Sequence, residues 1–255
     1  MTFFKTIGLG ILCLLLCQSC ASKKEVLYFQ DIDQANIASI DYEASKIQAS
    51  DILSIKVGAP IPETAIPYNV NIGALTATSV DILKLQGYLV SDAGTINFPV
   101  LGAIEVTDKT VEELEVFLKG LLESGGHLKD ASVAIRVLNS KVTILGEVTR
   151  PGTYTYTEQH VTLLQALGLA GDLTINGERE DVMVIREENG VRQVGHVNMT
   201  TADWFTGPYY YVKQNDVIVV NPNNTKVKSS GYVGNLGAVL GIASIILSTV
   251  ILITN

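Results

Sequence analysis

Four groups of residues in this sequence have types and spacings that suggest chemistry: a run of carboxylates, three histidines, a set of aromatics and three cysteines. Glu178-Arg179-Glu180-Asp181 concentrates carboxylates, the groups that do acid and base work on sugars. Glycoside hydrolysis needs two carboxyl groups facing each other across a cleft from separate elements. A contiguous run reads instead as a solvated loop before a strand. His127, His160 and His196 stand in unlike contexts and share no metal-ligand spacing, so each reads as a surface or loop histidine. Neither a Gly-x-Ser-x-Gly elbow nor a phosphate-cradling loop occurs in the chain. Trp204, Phe205 and the run Tyr209-Tyr210-Tyr211 can stack on sugar rings, although such clusters more often build core or interface. The expectation is a protein that is not an enzyme and needs neither metal nor cofactor.

The cysteines are Cys13, Cys17 and Cys20, so all are spent by residue 20. The rest of the chain has no thiolate nucleophile, no disulfide pair and no Cys-x-x-Cys metal site. Residues 1 to 20 begin Met-Thr-Phe-Phe-Lys and continue through the apolar run Ile7 to Leu16. A basic start, a short apolar stretch and small residues before a cleavage point make a secretory signal. The apolar run is about ten residues, against the roughly 20 that span a bilayer as a helix. Cys20 follows the small Ser19 and precedes Ala21, Ser22 and a polar stretch. This resembles a bacterial lipoprotein signal, in which the cysteine becomes the acylated first residue. The usual Leu three positions earlier is Cys17 here. Lipidation at Cys20 with two acyl chains implies firm membrane attachment and a body outside the cytoplasm.

At 255 residues, with 47% hydrophobic and 17% charged side chains and a net charge of −8, the chain is long enough for a buried core. An acidic chain has no electrostatic footprint for nucleic acid and gains nothing from anionic headgroups, so membrane attachment must be hydrophobic.

The elements that would position these residues fall into two α+β segments. Leu53, Ile55 and Val57 alternate with Ile52, Ser54 and Lys56 and share one face of a strand. Ala59 to Leu75, with Pro60, Pro62 and Pro67, reads as a loop or edge excursion. Tyr88 to Val90, Ser91-Asp92-Ala93-Gly94 and Thr95 to Pro99 read as strand, turn and strand, forming a hairpin. Thr110 to Leu122 reads as a helix with a Thr110/Glu113 capping box and one apolar face of Val111, Leu114, Phe117, Leu118, Leu121 and Leu122. Gly125 and Gly126 end it, and Ser132 to Leu138 follows as a strand. In the second segment Val142 to Val148 is a strand closed by Arg150-Pro151-Gly152, read as a type II turn with Gly152 in its second position. Thr153 to Tyr156 resumes the sheet, and Thr162 to Ala170 is a short helix stopped by Gly171. Strands at Val182 to Arg186, Val191 to Val197 and Asp216 to Val220 complete it. A helix across a mixed sheet is an α+β layer arrangement.

These residues resemble the Wza-type polysaccharide biosynthesis and export family. The likeness rests on Ser50-Asp51-Ile52-Leu53-Ser54-Ile55, on Val90 to Pro99 with Leu101-Gly102, and on Leu145-Gly146-Glu147-Val148-Thr149-Arg150-Pro151-Gly152-Thr153-Tyr154. Leu163 to Leu167 with Ala170-Gly171, and Asn215 to Pro222, extend it. The resemblance implies a polysaccharide export domain followed by one soluble-ligand-binding β-grasp (SLBB) domain, where larger members carry two or more. It also implies a homo-oligomeric ring in the outer membrane that passes capsular or exopolysaccharide, and an inner-membrane partner of the polysaccharide co-polymerase type.

No charged side chain follows Lys228. Tyr232 to Thr254 is 23 residues, long enough as a helix for a hydrocarbon core of about 30 Å. Gly234, Gly237, Gly241, Ser244 and Ser248 fall on one stripe, with Val239, Ile242, Ile246 and Val250 on the other side. Small residues let helices approach closely in a membrane, and Gly237 with Gly241 is a small-xxx-small pair. The stripe can face neighbouring helices or a wet lumen. A lone anchor and a buried core helix are the competing readings.

The expected organisation is therefore a signal peptide over 1–19, a lipidated lead-in over 20–46 and the export domain over 47–138. An SLBB domain over 139–222, a linker over 223–231 and a membrane helix over 232–254 follow. The competing function is a monomeric lipid-anchored periplasmic glycan-binding module, and a weaker rival is a glycan-trimming enzyme using the acidic run.

Overall fold

The computed structural model describes residues 23–34, 44–69, 80–188, 190–230 and 236–254. Signal residues 1–19, Cys20 and Gly234 lie outside the described residues.

The first half is built on strand β1 (Ile52–Gly58), whose Leu53, Ile55 and Val57 are buried on one face as the alternation requires. Short helices α1 (Pro62–Ala65) and α2 (Val80–Leu85) follow, with a 3-10 turn at Ile66–Tyr68. The proline-rich stretch is thus partly helical, because Pro62 and Pro67 occupy first-turn positions that lack a partner for an N–H anyway.

Strands β2 (Tyr88–Leu89), β3 (Thr95–Phe98) and β4 (Gly102–Glu105) come next. The turn at Ser91–Gly94 forms, with Gly94 at φ +76, but the expected hairpin does not. Instead β2 pairs with β1 and β3 pairs with β4. With only two residues in β2, the turn serves to pass the chain from one sheet to the other.

Helix α3 (Val111–Ser124) has the Thr110/Glu113 capping box and buries Leu114, Leu118 and Leu122 completely. Phe117, expected on that face, is 40% exposed and lies under the Lys109 ammonium. Strand β5 (Ser132–Val137) pairs antiparallel with β1 and gives the sheet order β2-β1-β5. One apolar cluster, from Ile47 to Ile135, sits between these strands and α3.

The second half carries a five-stranded mixed sheet in the order β10-β9-β12-β6-β7. Its strands are β6 (Lys141–Gly146), β7 (Gly152–Thr155), β9 (Gly177–Glu188), β10 (Val191–Val197) and β12 (Val217–Pro222). β12 runs parallel to β6 and antiparallel to β9. Strands β8 (Val161–Thr162) and β11 (Tyr211–Val212) pair separately. Helix α4 (Leu163–Leu169), capped by Thr162 and Gln165, lies against a second apolar cluster running from Val142 to Val220.

The positive-φ glycine of the β6–β7 connection is Gly146 at φ +91, whereas Gly152 is the first residue of β7, paired with Ile144. The type II reading of that turn is therefore wrong. At Gly146 a Cβ would stand 2.0 Å from the Val220 carbonyl oxygen, so the tight approach of β6 to β12 is what demands glycine.

Residues 224–230, expected as linker, form helix α5 (Asn224–Ser230). Helix α6 (Leu236–Thr254, 19 residues) follows, and residues 232–235 of the expected membrane helix lie outside the described residues. At 1.5 Å per residue it rises about 28 Å. Among the described residues no helix is long and apolar enough to cross a membrane. The architecture is α+β, with the two apolar clusters built on separate sheets.

Candidate functional site

The two halves meet through polar groups. Asp51 precedes β1 and is 2% exposed; its Oδ1 accepts from Gln214 Nε2 at 2.6 Å, and its Oδ2 from the Gln48 amide at 3.0 Å. Ser50 at φ +70 turns the chain so that this carboxylate faces inward. Burial pushes the Asp51 carboxyl up to about 6, while the Gln48 amide and Gln214 pull it down less strongly.

Around this contact opens a groove of about 520 Å³. One wall is α3 and β5, with Glu112, Glu115 and Arg136; the other is the 156–159 loop with Tyr156 and Gln159. Glu115 is fixed by accepting the Ile135 amide at 2.8 Å, and Gln159 reaches Glu112 at 3.4 Å.

Behind Gln214 the second half is locked by a buried ion pair. Arg186 and Asp216 are 4% and 0% exposed and meet through two bonds, Nε to Oδ1 at 3.0 Å and Nη2 to Oδ2 at 2.8 Å. The guanidinium also donates to the Pro208 and Tyr211 carbonyls, and the Lys213 amide donates to Asp216. Burial drives the Asp216 carboxyl up and Arg186 opposes it. The pair fixes the 208–216 segment, and with it Gln214.

The aromatic residues pack on the second apolar cluster, Trp204 buried and Phe205, Tyr209 and Tyr210 partly so. Phe205 packs edge-on to Trp204 at 5.1 Å and Tyr210 stands 5.9 Å from it. The surprise is the occupant on their outer side. Phe29, from the segment after Cys20, packs with its ring tilted 58° to Phe205 at 5.2 Å, and its amide donates to the Met199 carbonyl. Tyr28 donates to Asp172 at 2.7 Å and covers the Arg179 guanidinium at 5.2 Å; burial and Asp172 push its phenol up. The lead-in over residues 23–34 is thus docked on the second half, a placement no periodicity in so short a segment could signal. The adjacent pair Tyr28-Phe29 in a polar stretch was the available clue.

The acidic run is not a loop. Glu178 to Asp181 lie in β9, and Arg179 is 5% exposed, donating to the Gly177 and Thr174 carbonyls. Because residues alternate between sheet faces, Arg179 turns inward while Glu178 and Glu180 turn the other way. The three histidines are exposed and each has a different partner: His127 contacts Tyr68, His160 lies near Tyr211, and His196 pairs with Asp181 at 2.5 Å. Among the described residues no group of three His, Cys, Asp or Glu side chains is placed to hold a metal.

On α6, Gly237, Gly241, Ser244 and Ser248 keep their helical stripe. Ser244 and Ser248 bond back to the carbonyls of Gly241 and Ser244, both at 2.8 Å. Their hydroxyls are thus satisfied within the helix. A Cβ at Gly241 would meet nothing within 4 Å, and Leu240, Ile242, Ile245 and Ile246 are exposed. Among the described residues nothing crowds a Cβ at Gly241.

Comparison with known proteins places both halves. Residues 41–138 match the family described as polysaccharide biosynthesis/export protein, and residues 141–197 match the SLBB domain. A protein of Ralstonia solanacearum named EPS I polysaccharide export outer membrane protein EpsA is 30% identical over 163 residues, covering 61% of this chain and 42% of that protein. Its namesake in Ralstonia nicotianae is 32% identical over 149 residues, covering 55% of this chain and 38% of the relative. The chain spans less than half the length of either relative.

Proposed function

Since the chain belongs to the polysaccharide biosynthesis/export family, we propose that it is an outer-membrane component that moves capsular or exopolysaccharide to the cell surface. The observation that carries this reading is the succession of an export-family match and an SLBB match in a chain that is also similar to two proteins named for polysaccharide export at the outer membrane. The body, residues 47–222, stands in the periplasm, anchored through an acylated Cys20. The docked lead-in supports that arrangement, because Tyr28 and Phe29 place the SLBB half within a few residues of the anchor.

The work is positional rather than chemical: copies join into a ring whose lumen passes the polymer, and no covalent step is assigned to any residue. Helix α6 contributes to that assembly in the membrane. Its described length, about 28 Å, does not suffice to cross a membrane alone, but its lack of charged residues and its Gly237/Gly241 stripe suit close packing against neighbouring copies. An inner-membrane co-polymerase hands the polymer on.

The test is native mass spectrometry with negative-stain imaging of the full chain in mild detergent. A closed ring that is lost when residues 232–255 are removed supports the channel. A clean monomer with the C-terminus intact supports the anchored glycan-binding module instead.

A further inference from the structure

We infer that the groove between the two halves is a glycan subsite that holds a short, hydroxyl-rich, uncharged or amino-bearing stretch of the exported polymer. The inference rests on the export reading and adds where each copy touches its cargo. At about 520 Å³ the groove lies within the range of small-ligand sites, which favour junctions between structural units.

Its lining has the chemistry that sugars need. Vicinal hydroxyls are bound by planar groups that offer two polar atoms side by side. Glu112, Glu115, Arg136 and Gln159 all line the groove and are of this kind. Glu115 is held in place by the Ile135 amide, and one accepted bond leaves most of a carboxylate's roughly four lone-pair sites open. The Arg136 guanidinium has no hydrogen bond or ion pair among the described residues, so its donors are available. Tyr156 is half-buried against the second apolar cluster, which fixes a ring beside the groove on which a sugar's C–H face can rest.

Charge narrows the ligand. Asp51, Glu112, Glu115 and Glu158 face only Lys46 and Arg136 across the lining. That balance disfavours a polyanion and tolerates a neutral or amino sugar. A glycan bridging α3 and the 156–159 loop would also brace the Asp51–Gln214 joint.

The test uses the full chain in mild detergent. The probe is the oligosaccharide mixture released by mild acid hydrolysis of the producing strain's own surface polysaccharide, with binding read by saturation-transfer NMR and titration calorimetry. We expect binding that weakens at least about tenfold in both Arg136→Ala and Tyr156→Ala, a loss comparable to one or two good polar contacts. Melting temperature should stay unchanged in Arg136→Ala, and Arg192→Ala, on the exposed β10, should bind normally. If Tyr156→Ala unfolds, Gln159→Ala replaces it. Absence of binding by the natural chain, equal binding by the groove variants, or capture of peptidoglycan glycan strands alone would each overturn the subsite. Surface polysaccharide in a deletion strain tests the export reading separately. If it is lost on deletion while the groove variants bind as the natural chain does, the subsite fails and export stands.

Discussion

Gln214 donates to Asp51 at 2.6 Å across the junction of the two halves, and the accepting carboxylate is almost wholly withdrawn from water. A charge in that position is costly, and the cost depends on pH. The Asp51 carboxyl is raised from 3.8 to about 6. Above pH 6 the folded chain carries a buried charge whose penalty is on the order of 3 kcal/mol at 1.36 kcal/mol per pK unit. As pH falls through 6 the folded state takes up a proton that the unfolded state does not, so stability rises until about pH 4. Thermal melts from pH 7.5 to 4 should show that slope for the natural chain, against whatever the other carboxylates contribute. Asp51→Asn should remove it. An identical slope in both would mean that Asp51 does not titrate in this window.

The Arg186–Asp216 pair should behave as a buried pair does when halved. Asp216→Ala leaves an unmatched guanidinium among the Pro208 and Tyr211 carbonyls, and should cost about 3–5 kcal/mol. Replacing both partners with apolar residues should cost less than the sum of the single changes. Denaturant melts of the two singles and the double give the coupling directly, and additivity would show that the pair is not a unit.

Two glycines should respond in opposite directions. Gly146→Ala forces a side chain into a positive φ and against the Val220 carbonyl, and should destabilise by about 3 kcal/mol or more. Gly120 lies on the exposed face of α3, and a Cβ added there would meet nothing within 4 Å. Its replacement by Ala should stabilise by up to about 1 kcal/mol. Urea titration distinguishes the two.

Helix α6 offers a test of assembly without a test of folding. A Cβ at Gly241 meets nothing within 4 Å among the described residues beyond its own helix backbone, so in Gly241→Leu the body should melt as before while the detergent-extracted oligomer weakens. Gly237→Leu should act in the same direction. Sedimentation of both variants reads the change, and intact oligomers in each would remove the stripe from the interface.

The local grammar of this protein was legible in its residues. Alternation placed Leu53, Ile55 and Val57 on one buried face, and the spacing of Thr110 and Glu113 gave the cap of α3. The motifs around Asp51 and Gly146 fall inside the two family-matched ranges, 41–138 and 141–197. Such features are decided within a few residues by φ/ψ preference, side-chain period and capping geometry, and need no knowledge of the rest of the chain.

What only the tertiary structure decided are the relationships between distant residues. The run Glu178–Asp181 looked solvated because its composition is polar, yet strand alternation and a pair of carbonyls bury Arg179. Phe29 docks 170 or more residues away on Met199 and Phe205, and Asp51 finds Gln214 across 163 positions. Hairpin pairing at Tyr88–Phe98 failed for the same reason, since β1 and β4 compete for those strands. Burial and partner choice depend on what else the folded chain brings near. That is a property of the whole arrangement and is written in no local stretch.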